Sequence, residues 1–117
     1  MIKYKTSTGE VVSQATINKE RAEAYIKYDL GVRVCAGCGG QAQGRAHIIA
    51  QARCKSIHKT DYIWQPWNWF IACHRCNQNW EGFKGDACKK LLNYEECLQV
   101  LKEHDYYTFL KYTHLPA

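Results

Sequence analysis

Two Cys-x-x-Cys motifs, Cys35/Cys38 and Cys73/Cys76, constrain this chain more than any other feature. Two such pairs brought together place four thiolates at the corners of a tetrahedron, the arrangement a structural Zn²⁺ prefers. Gly39 and Gly40 follow the first pair, so residues 35–40 read as a knuckle. In such a turn backbone N–H groups point at thiolate sulfur, and glycine relieves the steric cost. The cysteines number seven. An odd number with paired spacing argues against a secreted disulfide scaffold and for a zinc site beside three reduced thiols. Those three, Cys54, Cys88 and Cys97, share no metal-type spacing and are expected to be buried, inert or incidental.

A chain of 117 residues has room for one domain with a modest core, which a metal or a partner subunit often supplements. The start, MIKYKTSTGE, lacks the apolar core of a signal peptide. No later run of about 18 apolar residues could span a bilayer, so a soluble, cytoplasmic protein without a membrane partner is expected. The formal charge is +5, unevenly spread. Between Arg33 and Lys90 nine Lys/Arg face three acids, a net of +6, and the flanks together come to −1. A basic centre overlapping the proposed metal site points to a polyanion such as nucleic acid.

Along the chain, the first dozen residues suggest a turn or short hairpin. The stretch NKERAEAYIKYDL reads as a helix capped by Thr16 or Asn18 and ended by Gly31, with Ala22, Tyr25, Ile26 and Leu30 on its apolar side. Val32 to Val34 lead as an extended segment into the first knuckle. Gly44 to Ala50 reads as a strand that carries His47, Gln51 to Gln65 as a loop with at most a helical turn, and the aromatic stretch from Pro66 to Ile71 as a strand able to pair with it. A helix is expected from about His74 to Trp80. Beyond it, Leu91, Leu92, Cys97, Leu98, Leu101, Tyr106, Phe109 and Leu110 recur at helical spacing and predict two or three short helices packed on the core.

The order Cys-x-x-Cys, nine residues to a histidine in Ala-His-Ile-Ile, then an asparagine five residues before a second Cys-x-x-Cys-Asn, resembles the HNH endonuclease family in its four-cysteine, zinc-containing form. The match covers Cys35 to about Lys84, less than half of the chain. The resemblance implies an α+β fold: a small zinc-stabilised ββα-metal finger, about 33–85, flanked by helical segments at 16–31 and 86–113 in a single domain, 1–117. It also implies roles. His47 matches the general base, Asn68 the asparagine that orients it, Asn77 the ligand of a catalytic divalent ion at the head of the helix, and the four cysteines the structural zinc clip. The activity implied is metal-dependent hydrolysis of DNA phosphodiester bonds, by nicking or double-strand cleavage, in a phage, prophage or mobile-element setting.

Elementary chemistry agrees with these roles. Hydrolysing a phosphodiester takes a water nucleophile, a base, and a cation to stabilise the charge that develops. A histidine with an unperturbed pKa of about 6.5 is mostly neutral yet still basic near pH 7. Oxygen from Asn77, with Glu81 one helical turn later, suits Mg²⁺ or Mn²⁺. One position departs from the family pattern. Many members carry an acidic residue or a second histidine just before the base, where it binds the catalytic ion; here the residue is Ala46. Either Glu81 replaces that ligand, or the site is weakened, or the activity is lost.

Arg45, Arg53, Lys55, Lys59, Arg75 and Lys84 are candidate phosphate contacts, which position a nucleic acid without reading its sequence. His74 could replace a cysteine on zinc, but four cysteines suffice. His58, His104 and His114 read as surface residues. Trp69 and Trp80 are expected to pack on the small core, with Trp64 and Trp67 open to either packing or base stacking. A second reading is a catalytically inactive, zinc-stabilised nucleic-acid-binding module, and Ala46 is the feature that favours it. A third, a zinc-ribbon module for a protein partner, sits poorly with the basic centre. The expected partner is DNA, and both a monomer and a homodimer stay open.

Overall fold

A computed structural model of the chain describes residues 2–29, 31, 33–82 and 85–114. Leu30, Val32 and Lys84, named above, lie outside the described residues. Those that are described form two small antiparallel sheets and six α-helices, an α+β fold. They cluster into two compact units, Met1–Gly31 with Ile49–Asn68, and Val32–Ile48 with Trp69–Ala117. Residues 49–68 of the expected finger thus group with the N-terminal segment.

In the first unit, β1 (Lys3–Lys5) and β2 (Val11–Ser13) form the expected hairpin, with Tyr4 opposite Val12. Gly9 takes the positive φ its loop needs, 87°, and its N–H donates to Thr6 O at 3.0 Å. Helix α1 (Gln14–Lys27) starts earlier than its sequence suggests, because the Ser13 hydroxyl accepts from the Thr16 N–H and caps it. It buries Ile17 and Ala24, seven residues apart on one face, and leaves Ile26 79% exposed. The apolar face read from the sequence therefore shifts: Ala22 is exposed as well, and the earlier start brings Ile17 to the core.

The segment expected as a loop is largely helical: α2 (Gln51–Ser56) precedes a 3-10 turn at Thr60–Trp64. Its polar composition hid three anchors, Cys54, Thr60 and Ile63, which are fully buried. The Thr60 hydroxyl donates to Lys5 O at 2.9 Å, and the Asp61 carboxylate accepts from the Ser7 N–H and hydroxyl at 2.7 and 2.6 Å. Helix α2 ends with Lys59 N–H donating to Cys54 O and His58 N–H to Lys55 O, and His58 occupies the left-handed region at φ 58°. A second 3-10 turn, Pro66–Asn68, closes this unit.

In the second unit, Val34 bridges to Gln41 around the first knuckle. Strands β3 (Gly44–His47) and β4 (Trp69–Ala72) pair antiparallel, with Gly44 opposite Ala72 and His47 opposite Trp69. Helix α3 (His74–Glu81) follows directly and packs on β3. Trp80 is the centre of this packing: its indole N–H donates to Ile48 O at 2.9 Å, and the Tyr112 hydroxyl donates to Trp80 O at 2.9 Å. The C-terminal part forms α4 (Gly85–Lys89), α5 (Tyr94–His104) and α6 (Tyr106–His114). Leu91, Leu98 and Leu101 are buried, whereas Leu92, Tyr106 and Leu110, expected in the core, are exposed. Leu92 neighbours Leu91 in the turn between two helices, where consecutive side chains cannot share a face. Among the described residues, no helix is long and apolar enough to cross a membrane.

Candidate functional site

The four sulfurs of Cys35, Cys38, Cys73 and Cys76 lie within 4.8 Å of one another, with Cys38 Sγ and Cys73 Sγ 3.8 Å apart. Four sulfurs at about 2.3 Å from one Zn²⁺ would stand about 3.8 Å apart, so the donor set fits a tetrahedral ion. The cluster can therefore hold a metal such as zinc. Local sequence builds it. Cys35 N–H donates to Gly40 O at 2.7 Å and Gly39 N–H to Cys35 O at 2.8 Å, a turn that needs the φ of 80° at Gly39. Gly37 N–H points at Cys35 Sγ at 3.3 Å. A Cβ on Gly37 would lie 2.9 Å from Cys76 Sγ and from Leu91 Cδ2, so only glycine fits there. The second pair starts α3: Cys73 is the N-cap, and its sulfur accepts from Cys76 N–H at 3.4 Å. Ala36 N–H to Ile71 O and Gln43 N–H to Ala72 O join the first knuckle to β4.

The two buried thiols of the cluster are pushed in opposite directions. Burial opposes ionisation of Cys35, but backbone hydrogen bonds at Cys73, Gly37 and Cys38 outweigh it and bring its pKa down from 9.0 to about 7. Burial and the neighbouring thiols push Cys76 the other way. Four negative sulfurs this close need a cation among them. His74 is exposed outside the cluster, with its N–H donating to Gln43 Oε1 at 2.9 Å.

The same unit holds His47, Asn77 and Glu81. His47 ends β3, is 4% exposed, and meets the Trp69 ring edge-on at 6.4 Å between centroids. Partial burial raises the Glu81 carboxyl above its ordinary 4.5, while a hydrogen bond at the His47 backbone lowers it. That contact brings the last turn of α3 to the end of β3. Asn77, one turn earlier, has a buried Oδ1 without a hydrogen-bond partner. A buried carbonyl oxygen left unpaired costs about 1–3 kcal/mol, which a bound cation would recover. Ala46 is fully buried opposite Phe70.

Asn68 belongs to the first unit and is 0% exposed. Its Oδ1 accepts from Ile49 N–H at 2.7 Å, and its Nδ2 donates to Ile49 O at 3.1 Å and Tyr62 O at 3.0 Å. The amide is thus committed to backbone two residues past His47. Of the basic candidates, Arg45 and Arg75 lie in the second unit, half-buried and exposed respectively. Arg53, Lys55 and Lys59 lie in the first. Lys55 Nζ donates to Gln14 Oε1 at 2.6 Å and sits over the Tyr4 ring, and Lys59 sits over Tyr62.

Two supporting residues escape a sequence reading. Gln43 caps the start of α3 from 31 positions away, and Tyr112 reaches Trp80 from 32. No local spacing announces partners so distant. Comparison with known protein families, with curated proteins and with solved structures finds no match for this chain.

Proposed function

We propose that this chain is a metal-dependent HNH endonuclease that hydrolyses DNA phosphodiester bonds. One observation carries the reading: His47 ends a strand whose antiparallel partner leads straight into α3, and that helix offers the unpartnered Asn77 Oδ1 and the Glu81 carboxylate that meets the His47 backbone. In this reading the cysteine cluster holds zinc and fixes the knuckle to the head of α3. His47 takes the proton from the attacking water. Asn68 is the asparagine this reading assigns to orient the base, and within its own unit its amide holds the Ile49 backbone. Asn77 and Glu81 would hold Mg²⁺ or Mn²⁺, and that ion, when bound, supplies the charge that stabilises the phosphorane. Arg45, Arg53, Lys55, Lys59, Arg75 and Lys84 are the phosphate contacts of this reading.

The test is nicking of supercoiled plasmid by wild type, His47→Ala and Asn77→Ala, with Mg²⁺ or Mn²⁺ and with EDTA, at equal zinc content. Wild type is expected to nick only with the divalent ion, and each variant to lose about 100-fold or more. Full cleavage by either variant would remove the residue from the mechanism. A second reading rests on Ala46: a buried alanine offers no ligand beside the base, as in a finger that binds nucleic acid without cutting it. That reading predicts salt-dependent DNA binding and no nicking under any divalent ion with zinc in place.

A further inference from the structure

We infer that Cys38 and Cys73 form the oxidant-sensitive latch of the cysteine cluster: a peroxide joins these two sulfurs, one from each Cys-x-x-Cys pair, and so releases the metal. The inference rests on reading the cluster as a zinc site. The cluster is asymmetric in depth. Cys35 and Cys76 are 1% and 3% exposed, Cys38 is exposed and Cys73 is half-buried. Oxidation follows thiolate character and access, so a peroxide meets Cys38 first.

The resolving sulfur is also set by geometry. Cys73 Sγ is 3.8 Å from Cys38 Sγ and partly open to solvent. Cys35, the other member of the Cys38 motif, is buried and its sulfur takes the Gly37 N–H at 3.3 Å. Cys76 lies against Gly37 so closely that a Cβ there would be 2.9 Å from its sulfur, which leaves it little room to move. The two more accessible sulfurs, Cys38 and Cys73, therefore oxidise across the two motifs and not within either.

The chemistry balances with hydrogen peroxide as the oxidant. The Cys38 thiolate attacks one peroxide oxygen, the O–O bond breaks, and hydroxide leaves to give a sulfenic acid. The Cys73 thiolate then attacks that sulfur, the S–O bond breaks, and a second hydroxide leaves. Two protons from solvent convert both hydroxides to water. Two sulfurs are oxidised and one peroxide is reduced. Cys35 and Cys76 remain as the ligands, half the set a closed structural zinc site uses, and the ion leaves. A dithiol reductant reverses the disulfide and restores the site.

The experiment uses the full-length chain. Bound zinc is first measured in the purified protein. Hydrogen peroxide is then titrated while a chromogenic chelator reports zinc release, free thiols are alkylated, and disulfide peptides are mapped by mass spectrometry. The expected result is loss of two thiols for each zinc released and a Cys38–Cys73 cross-linked peptide, with Cys54, Cys88 and Cys97 still alkylated. Cys38→His keeps a Cys₃His set able to bind zinc and should slow release about tenfold or more. A Cys35–Cys38 or Cys73–Cys76 disulfide would overturn the inference and leave the zinc reading standing, whereas zinc retained after Cys38 and Cys73 are consumed would overturn both. Absence of zinc from protein purified under reducing conditions, with none taken up on addition, would overturn both. If Cys38→His fails to hold zinc, the disulfide map of the wild type decides.

Discussion

His58 stands where most helix ends of this type place glycine. The two hydrogen bonds that close α2, from Lys59 to Cys54 and from His58 to Lys55, require a left-handed residue between them, and His58 supplies φ 58° at a steric cost. Its side chain is exposed, so little packing is lost on removing it. His58→Gly should therefore stabilise the protein by about 0.5–1 kcal/mol, the relief of the left-handed strain less the added entropy of glycine in the unfolded chain. Urea unfolding of the two proteins checks this, and an unchanged or lower midpoint would show that the histidine makes compensating contacts. Gly39 marks the knuckle because the turn takes φ 80° there, whereas the need for glycine at Gly37 follows from Cys76 and Leu91, which are distant in the sequence. Ser13 does not stand out as a cap in the sequence, where Thr16 and Asn18 are equally good candidates, and the extended φ of −93° and ψ of 167° at Ser13 select it.

At the scale of elements, the candidate site was legible where its parts are consecutive. Strand β4, the second cysteine pair and α3 follow one another without interruption, so the aromatic run and the Cys-x-x-Cys spacing mark one continuous stretch. The pairing of β3 with β4 was readable from two short apolar runs. Residues 51–65 were not, since burial of Cys54, Thr60 and Ile63 is decided by partners far along the chain, among them the Thr60 bond to Lys5. Asn68 belongs to this scale because it fastens one element to another. Its three backbone partners at Ile49 and Tyr62 are satisfied by a single buried amide. Asn68→Ala strands them and should cost about 2–4 kcal/mol. Chemical denaturation reads this directly. A loss below about 0.5 kcal/mol would mean that water replaces the amide.

For the whole molecule, buried thiols are expected to make the fold lose stability at alkaline pH, together with Tyr94 and Tyr112, whose hydroxyls burial also pushes up. Burial raises Cys88 from 9.0 to about 11 and Cys97 from 9.0 to about 12. A group whose pKa is raised by folding contributes stability that is complete below its unfolded value and is lost as pH climbs through the folded one. Here that window opens near pH 9 and extends to about 11–12. Each thiol should remove about 1.4 kcal/mol per pH unit within it. Unfolding free energies measured at pH 8 and pH 10 should fall accordingly, and Cys97→Ala should flatten the slope. An identical slope in that variant would place the alkaline sensitivity elsewhere. Both compact units are discontinuous in sequence, each assembled from an earlier and a later stretch. Neither can be completed by a ribosome-bound chain until the later stretch has emerged, so residues 33–48 wait with Cys35 and Cys38 unpaired until Cys73 and Cys76 are made. Until Cys73 and Cys76 have emerged, a metal at the cluster could at best be held by two of the four thiols.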